Sequence, residues 1–128
     1  MNTISSITVY PVRLPVIKSF SFASGSAGKV GGTAPHVFVK VTDSEGNIGW
    51  GEGRPVASWS YETLETIATT IRHHLAPALL GHDINDRWGV GRKMHAAIGR
   101  GPSTGQPIAK AALDMAIHDL CAQAAGMT

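Results

Sequence analysis

The chain has 128 residues, of which 43% are hydrophobic and 16% are charged, with a formal net charge of +2. This make-up is typical of one globular domain with a buried core. No apolar run approaches the ~20 residues of a membrane-spanning helix, and no basic start followed by a long apolar segment is present, so we expect a cytoplasmic protein without a membrane partner.

The basic side chains cluster at Arg92, Lys93, His95 and Arg100. A nucleic-acid surface normally combines a long basic stripe with stacking aromatic side chains, and aromatic residues make up only 6% of this chain. We interpret the cluster as solvated surface near a helix C-terminus and expect no nucleic-acid partner. The single cysteine, Cys121, excludes an internal disulfide.

Three segments have strand patterns. Residues 4–14 are rich in β-branched side chains, residues 36–42 alternate with three valines on one face, and residues 48–52 follow the turn sequence "DSEGN" (43–47). Pro11 indicates that the first strand lies at an edge or ends there. These segments predict a three-stranded antiparallel meander.

The second half has helical periodicity. We expect one helix capped by Ser58 or Ser60, a second beginning at Asp83 with Asp86 three residues on, and a third beginning near Pro107 and stopping at Gly126. Gly89 and Gly91 weaken the second helix pattern. Strands followed by helices indicate an α+β fold, in which a three-helix layer covers the meander.

Strand direction places two loops together. In a meander, the loops that leave the first and third strands emerge at the same end of the sheet, whereas the "DSEGN" turn lies at the other end. These loops are residues 16–35, rich in glycine, and residues 53–60. The sequence therefore predicts two long loops that converge at one edge.

Each loop offers candidate binding residues. The first carries Phe20, Phe22 and Lys29, and the second carries Arg54 and Trp59, with Tyr61 directly after it. The phenylalanines either plug a pocket or seat the loop on its own core, and Trp59 and Tyr61 either cover a ligand or pack locally. Arg54 either pairs with a carboxylate or is an ordinary surface arginine.

A phosphate-binding loop is excluded. The pattern needs a glycine five residues before the Gly28-Lys29 pair and a Ser or Thr directly after it, but Ala23 and Val30 occupy those positions. The segment also leads into a strand rather than a helix. Such a loop can instead move at little cost, because glycines loosen the backbone.

No catalytic or metal motif is recognisable from the residues alone. The six histidines form no metal-ligand pattern, no nucleophile has a sequence signature, and Glu52 at a strand end is interpreted as structural. Lys110, Asp114 and His118 share one helix stripe, which we interpret as a solvated or interface ion-pair stripe. The residues thus indicate loops suited to binding without catalytic apparatus.

Two segments carry a family resemblance. "GNIGWGE" (46–52) and "AKAALDMAIHDLCAQ" (109–123) resemble the mandelate racemase and muconate lactonizing enzyme family, within the enolase superfamily. Ile117 stands where Leu or Ala is usual, and Thr128 where Pro, Ser or Ala is usual. The matching positions of the second segment are Ala109, Ala111, Ala112, Leu113, Asp114, Ala116, Asp119, Leu120, Ala122 and Gln123.

The resemblance implies that residues 1–128 are an N-terminal capping domain, whose loops after the first and third strands close the mouth of a separate (β/α)7β barrel. That barrel is absent from this chain and would be its main partner. In the family it holds a Mg2+ ion on three acidic residues and abstracts the proton next to a substrate carboxylate. No catalytic residue or metal ligand is then expected here, and no Lys-x-Lys motif occurs.

The resemblance thus implies the specificity cap of a racemase, epimerase, cycloisomerase or dehydratase that acts on a small, amino-acid-derived carboxylate such as hydroxyproline. The full-length enzyme is expected to be a homo-oligomer, and the 128-residue chain alone to be inactive. The alternative, from the residues, is a free-standing α+β ligand-binding or interaction module.

Overall fold

The computed structural model of this chain describes residues 1–127. Three strands, β1 (Ile4–Pro15), β4 (Thr33–Asp43) and β5 (Ile48–Gly53), form an antiparallel sheet in the order β1-β4-β5. Two further strands, β2 (Phe20–Phe22) and β3 (Gly25–Ala27), pair with each other in a hairpin between β1 and β4. The predicted meander is confirmed, and the hairpin is an addition that the sequence did not suggest.

The alternation along the central strand decides which face of the sheet is buried. Val37, Val39 and Val41 are fully buried, as their spacing predicts for one face of a strand. β1 lies at the edge of the sheet and continues past Pro11, whose missing N–H is tolerated there. The opposite face remains open to solvent and carries Tyr10 and Trp50, whose ring centroids are 5.7 Å apart.

Asp43 organises the turn between β4 and β5. Only 2% of this residue is exposed, and its carboxylate accepts hydrogen bonds from the backbone N–H groups of Glu45 (2.9 Å) and Asn47 (2.8 Å). The side-chain amides of Asn47 (2.8 Å) and Asn2 (2.7 Å) also donate to it. Burial by itself raises the pKa of Asp43, but these hydrogen bonds outweigh it and hold the pKa below its ordinary value.

This lowered pKa predicts a contribution of Asp43 to acid stability. Because the folded-state pKa lies below the unfolded-state pKa, the stabilisation is present above about pH 4 and is lost as the pH falls toward the folded-state value. We expect Asp43→Asn to lower the melting temperature at pH 7 and to flatten its decline between about pH 4 and pH 2. Thermal melts of wild type and Asp43→Asn between about pH 4 and pH 2 test this prediction. A melting temperature that falls as steeply with pH in Asp43→Asn as in wild type would contradict it. Glu45→Gln, in the same turn, is the control.

The helical half contains α1 (Ala57–Ser60), α2 (Leu64–Thr70), a π-helical turn (Ile71–Leu75), α3 (Ala76–Leu79), α4 (Arg87–Ala97) and α5 (Pro107–Ala124). α2, the π-helical turn and α3 follow one another without a break, so the predicted three-helix layer is present, with α1 as an extra turn in the second loop. Within residues 1–127 no helix is both long and apolar enough to cross a membrane.

Two predicted helix caps are wrong. Thr63, not Ser58 or Ser60, caps α2, because its hydroxyl accepts from Thr66 N while Thr66 Oγ1 accepts from Thr63 N. Asp86, not Asp83, caps α4 by accepting from Gly89 N at 2.8 Å. A side chain at Gly89 would collide with this capping carboxylate, which explains the glycine near that helix start. The predicted start of α5 at Pro107 and its end before Gly126 are confirmed.

α5 packs directly on β5, backbone against backbone. Three glycines of β5 face the helix. Gly49 lies against Leu120, and Gly53 lies against Ile108, with Gly51 between them. β5 and α5 therefore run in opposite directions, and α5 begins at the end of the sheet where β5 ends. The buried core lies between the sheet and the helices, and the predicted α+β class is confirmed.

Candidate functional site

The two long loops meet, as strand direction predicts. Between them lies an open cavity of about 950 Å³, which we call the cleft. Its wall comes from the first loop, the start of β4 and the second loop: Phe20, Phe22, Ser24, Gly25, Ser26, Ala27, Gly28, Thr33, Ala34, Pro35, Arg54, Pro55, Val56, Ala57, Ser58 and Trp59. Both loops thus contribute to one concave site, which is the usual shape of a small-molecule site.

The first loop has internal structure rather than being uniformly irregular. Val16 N donates to Gly32 O at 2.9 Å and Gly31 N donates to Val16 O at 3.2 Å, which closes the neck of the loop. Within this neck, the hairpin of β2 and β3 pairs Phe20 with Ala27 and Phe22 with Gly25. The loop is therefore a small hairpin on a narrow base, a form that can move as one piece.

Three aromatic side chains connect the loops across the cleft. The rings of Phe20 and Phe22 lie 6.0 Å apart, and the ring of Phe22 lies 6.0 Å from that of Trp59 on α1. Phe20 and Trp59 are 68% and 67% exposed, more than aromatic side chains that merely seat a loop on its core. The aromatic cluster therefore faces the cleft and offers an apolar surface to a ligand.

Arg54 provides the charge of the cleft. It is the one charged residue among the described residues that line the cavity, and no carboxylate within residues 1–127 forms an ion pair with it. Gly28 lies opposite, with φ of +82°, and a side chain there would press on Val16 and approach the guanidinium of Arg54. A half-buried guanidinium without a carboxylate partner suits an anionic group on a ligand.

A second, smaller cavity of about 400 Å³ adjoins the cleft and shares five lining residues with it: Phe20, Ala27, Gly28, Ala34 and Arg54. Its charged or titratable lining residues are Lys18, His36 and Arg54. His36 Nδ1 is hydrogen-bonded to Glu52 Oε1 at 2.5 Å, which links β4 to β5 where the second loop leaves. This contact is consistent with a structural role for Glu52.

Two of the six candidate binding residues lie outside the cleft. Lys29 is exposed in the neck turn, where its carbonyl accepts from Gly32 N. Tyr61 lies just beyond α1 with φ of +52°, and its hydroxyl forms a 2.9 Å hydrogen bond with Ser103 Oγ. The structure therefore brings together Phe20, Phe22, Arg54 and Trp59, and places Lys29 and Tyr61 at its margins.

Glu62 is a buried residue at this end that sequence reasoning missed. It is fully buried, and its carboxylate oxygens accept from Ile108 N (2.8 Å) and Ala109 N (3.0 Å). The N-cap residue of α5, Gln106, makes no side-chain cap bond, so Glu62, two residues after the second loop, caps this helix. The start of α5 is thereby attached to the cleft.

The predicted solvated stripe on α5 is wrong for Lys110. Only 6% of this residue is exposed, whereas Asp114 and His118 remain about half exposed as an i, i+4 pair. The chain between α4 and α5 folds over Lys110 and buries it. Burial lowers the pKa of Lys110, the charge of Arg100 lowers it further, and Glu62 opposes both.

The acidic, cysteine and histidine side chains do not gather into a metal centre. Within residues 1–127 no group of three or more such residues is placed to hold a metal ion. The cleft itself is lined by no acidic residue among those described. The described lining combines apolar and aromatic side chains with the single cationic side chain of Arg54.

Comparison with known proteins assigns the chain to a family. Residues 6–128 match the family described as "Mandelate racemase / muconate lactonizing enzyme, N-terminal domain". The chain belongs to this family of the enolase superfamily.

The relatives are complete enzymes. The chain is 33% identical over 117 residues to the N-succinyl-L-Arg/Lys racemase of Bacillus cereus, covering 91% of this chain and 29% of that protein. It is 34% identical over 126 residues to a chloromuconate cycloisomerase of Delftia acidovorans, covering 97% and 30%. The chain thus spans about 30% of the length of these relatives.

The fold agrees with the solved structures of two relatives. The crystal structure of the N-succinyl Arg/Lys racemase from Bacillus cereus superimposes with a TM-score of 0.81 at 32% identity, over 96% of this chain and 31% of that one. The L-Ala-D/L-Glu epimerase of Bacillus subtilis superimposes with a TM-score of 0.80 at 30% identity, over 96% and 32%. The resemblance drawn from residues 46–52 and 109–123 is confirmed.

Proposed function

We propose that this chain is the substrate-specificity cap of an enolase-superfamily isomerase or lyase, with residues 16–35 and 53–60 as its lid loops. The observation that carries the proposal is the cleft, because two loops from different parts of the chain share one apolar wall with a single guanidinium in it. Closing such loops over a ligand excludes water and fits the pocket to one substrate.

The proposed substrate is a small carboxylate derived from an amino acid. The relatives named as racemase and epimerase have N-succinyl-L-Arg/Lys and L-Ala-D/L-Glu in their names. Phe20, Phe22 and Trp59 would contact the apolar part of the substrate, and Arg54 an anionic part. Lys29 and Tyr61 would act from the margins of the cleft, in closing the neck and in holding α1.

The reaction would take place outside this chain, on a (β/α)7β barrel that follows residue 128. A Mg2+ ion held by that barrel would stabilise the enolate formed when the proton next to the carboxylate is removed. Racemisation, epimerisation, cycloisomerisation and dehydration would all pass through such an enolate. We further propose that the complete enzyme is a cytoplasmic homo-oligomer.

The test is proton exchange next to the substrate carboxylate. Incubation of N-succinyl amino acids or dipeptides with Mg2+ in D2O is expected to give deuterium incorporation with the intact enzyme and none with the 128-residue chain alone, measured by proton NMR. Exchange by the isolated chain would contradict the assignment of chemistry to a barrel. Absence of exchange by the intact enzyme, together with retained ligand binding, would favour the binding-module alternative.

A further inference from the structure

The buried ammonium of Lys110 has three hydrogen-bond partners. Its Nζ donates to the carbonyl of Ile98 at 2.6 Å, to the carbonyl of Thr104 at 3.1 Å and to His95 Nδ1 at 3.1 Å. The last bond requires a neutral His95 that carries its proton on Nε2. Burying a lysine costs free energy unless its donors are paired, and here all three are paired.

These partners define a closed loop, residues 98–106, which we call the rim loop. Lys110 binds a carbonyl near each end of this segment, and the backbone of Gly105 contacts the carbonyl of Gly99, so that any side chain at Gly105 would collide with it. A short loop whose ends are in contact is held compact by the contacts that close it. For the rim loop, the hydrogen bonds of Lys110 to the Ile98 and Thr104 carbonyls are such contacts.

The rim loop is hydrogen-bonded to the residue that directly follows the second lid loop. Ser103, next to Thr104, forms its 2.9 Å hydrogen bond with the hydroxyl of Tyr61. Tyr61 directly follows α1, which carries Trp59, and Glu62 after it caps α5. The two residues that follow α1 are therefore each attached to the region around the start of α5.

We infer that Lys110 is a positioning residue of the cleft, which fixes the rim loop so that Ser103 holds Tyr61 and thereby the wall that carries Trp59. The ring centroids of Trp59 and Phe22 lie 6.0 Å apart. Because no residue of α1 is buried, this arrangement depends on the hydrogen bond between Tyr61 and Ser103. The inference rests on the proposed function only for the use of the cleft as a binding site, and the position of Trp59 is measurable without any ligand.

The experiment is fluorine NMR of the intact protein labelled with 5-fluorotryptophan, in which the Trp59 resonance is identified by its loss in Trp59→Phe. Lys110→Met is expected to shift or broaden the Trp59 resonance, and Ser103→Ala to shift it in the same direction. The double variant is expected to add little to Lys110→Met, since both changes break the same connection. Lys93→Met, an exposed lysine on α4, is the matched control and is expected to leave the resonance in place.

The outcomes separate positioning from packing. A folded Lys110→Met protein with an unmoved Trp59 resonance overturns the inference, as does an additive double variant. If Lys110→Met does not fold, the result for Ser103→Ala decides. A shifted Trp59 resonance in Ser103→Ala supports the inference that the rim loop positions Tyr61 and Trp59. An unshifted resonance overturns it, and Lys110 then only stabilises the core. Exchange activity is not used, so failure of the proposed function would not alter this result.

Discussion

Replacing Gly51 by alanine is expected to destabilise the domain by at least about 3 kcal/mol, a large part of the 5–15 kcal/mol that ordinarily holds a domain together. A Cβ at this position would lie less than 3.0 Å from both the Ala112 carbonyl oxygen and the Ala116 nitrogen. The colliding atoms are backbone atoms of α5, so no side-chain rotation relieves the overlap. The helix must move away from β5, and the buried contacts along the whole interface weaken.

The measurement is urea unfolding of Gly51→Ala beside Gly91→Ala. Gly91 lies within α4, and a Cβ there meets nothing within 4 Å. Alanine at that helix position is expected to stabilise by about 0.5–1 kcal/mol. Equal unfolding midpoints for the two variants would show that the close approach of β5 and α5 is not a determinant of the fold.

The second large effect is expected for Glu62→Gln. The change keeps the shape of the side chain but replaces one accepting oxygen by an NH2 group, which then faces the backbone N–H of Ile108 or Ala109. A buried donor facing a donor, together with the loss of negative charge at the helix N-terminus, predicts a loss of about 2–4 kcal/mol. Glu45→Gln, at an exposed turn position, is expected to change stability by less than about 0.5 kcal/mol.

Urea titration of both variants provides the comparison. Because Glu62 follows the second loop, the Glu62→Gln protein is also expected to show faster amide exchange at the start of α5 than the wild type. If Glu62→Gln unfolds at the same urea concentration as Glu45→Gln, the cap supplied by Glu62 does not stabilise α5.

Much of the fold followed from local patterns, because those patterns report burial directly. The alternating valines of β4 and the "DSEGN" turn each lie where they were predicted, and Pro107 begins α5 because its missing N–H costs nothing in the first helical turn. Strand direction alone placed the two long loops at one end of the sheet. The caps of α2 and α4 were displaced by three to five residues, since several Ser, Thr and Asp residues precede each helix and only the final backbone geometry selects one.

The parts that the sequence did not reveal depend on contacts distant in the chain. Phe20 to Ala27 contains short strands rich in Ser and Gly, whose hairpin has no alternation long enough to recognise. Lys110, Asp114 and His118 follow helical spacing and therefore share one face of α5. Spacing alone does not show that residues 98–106 cover Lys110 and leave the other two side chains exposed. For Glu62 a signal was present: α5 begins with Gln-Pro and has no short polar N-cap side chain, which indicates a cap from elsewhere.

The central claim is that the cleft between the two proposed lid loops selects the substrate. The most direct test compares kcat/KM for an N-succinyl amino acid with kcat/KM for its N-acetyl counterpart, which lacks the distal carboxylate. The measured quantity is the ratio of the first value to the second. In the intact enzyme, Arg54→Met is expected to lower this ratio about 10- to 100-fold, because the variant lacks the half-buried guanidinium that pairs with the distal carboxylate. Arg87→Met, at an exposed position on α4 that lines neither the cleft nor the smaller cavity, is expected to leave the ratio unchanged. A ratio that is the same in wild type and Arg54→Met, for an enzyme that turns over both substrates, would contradict the account.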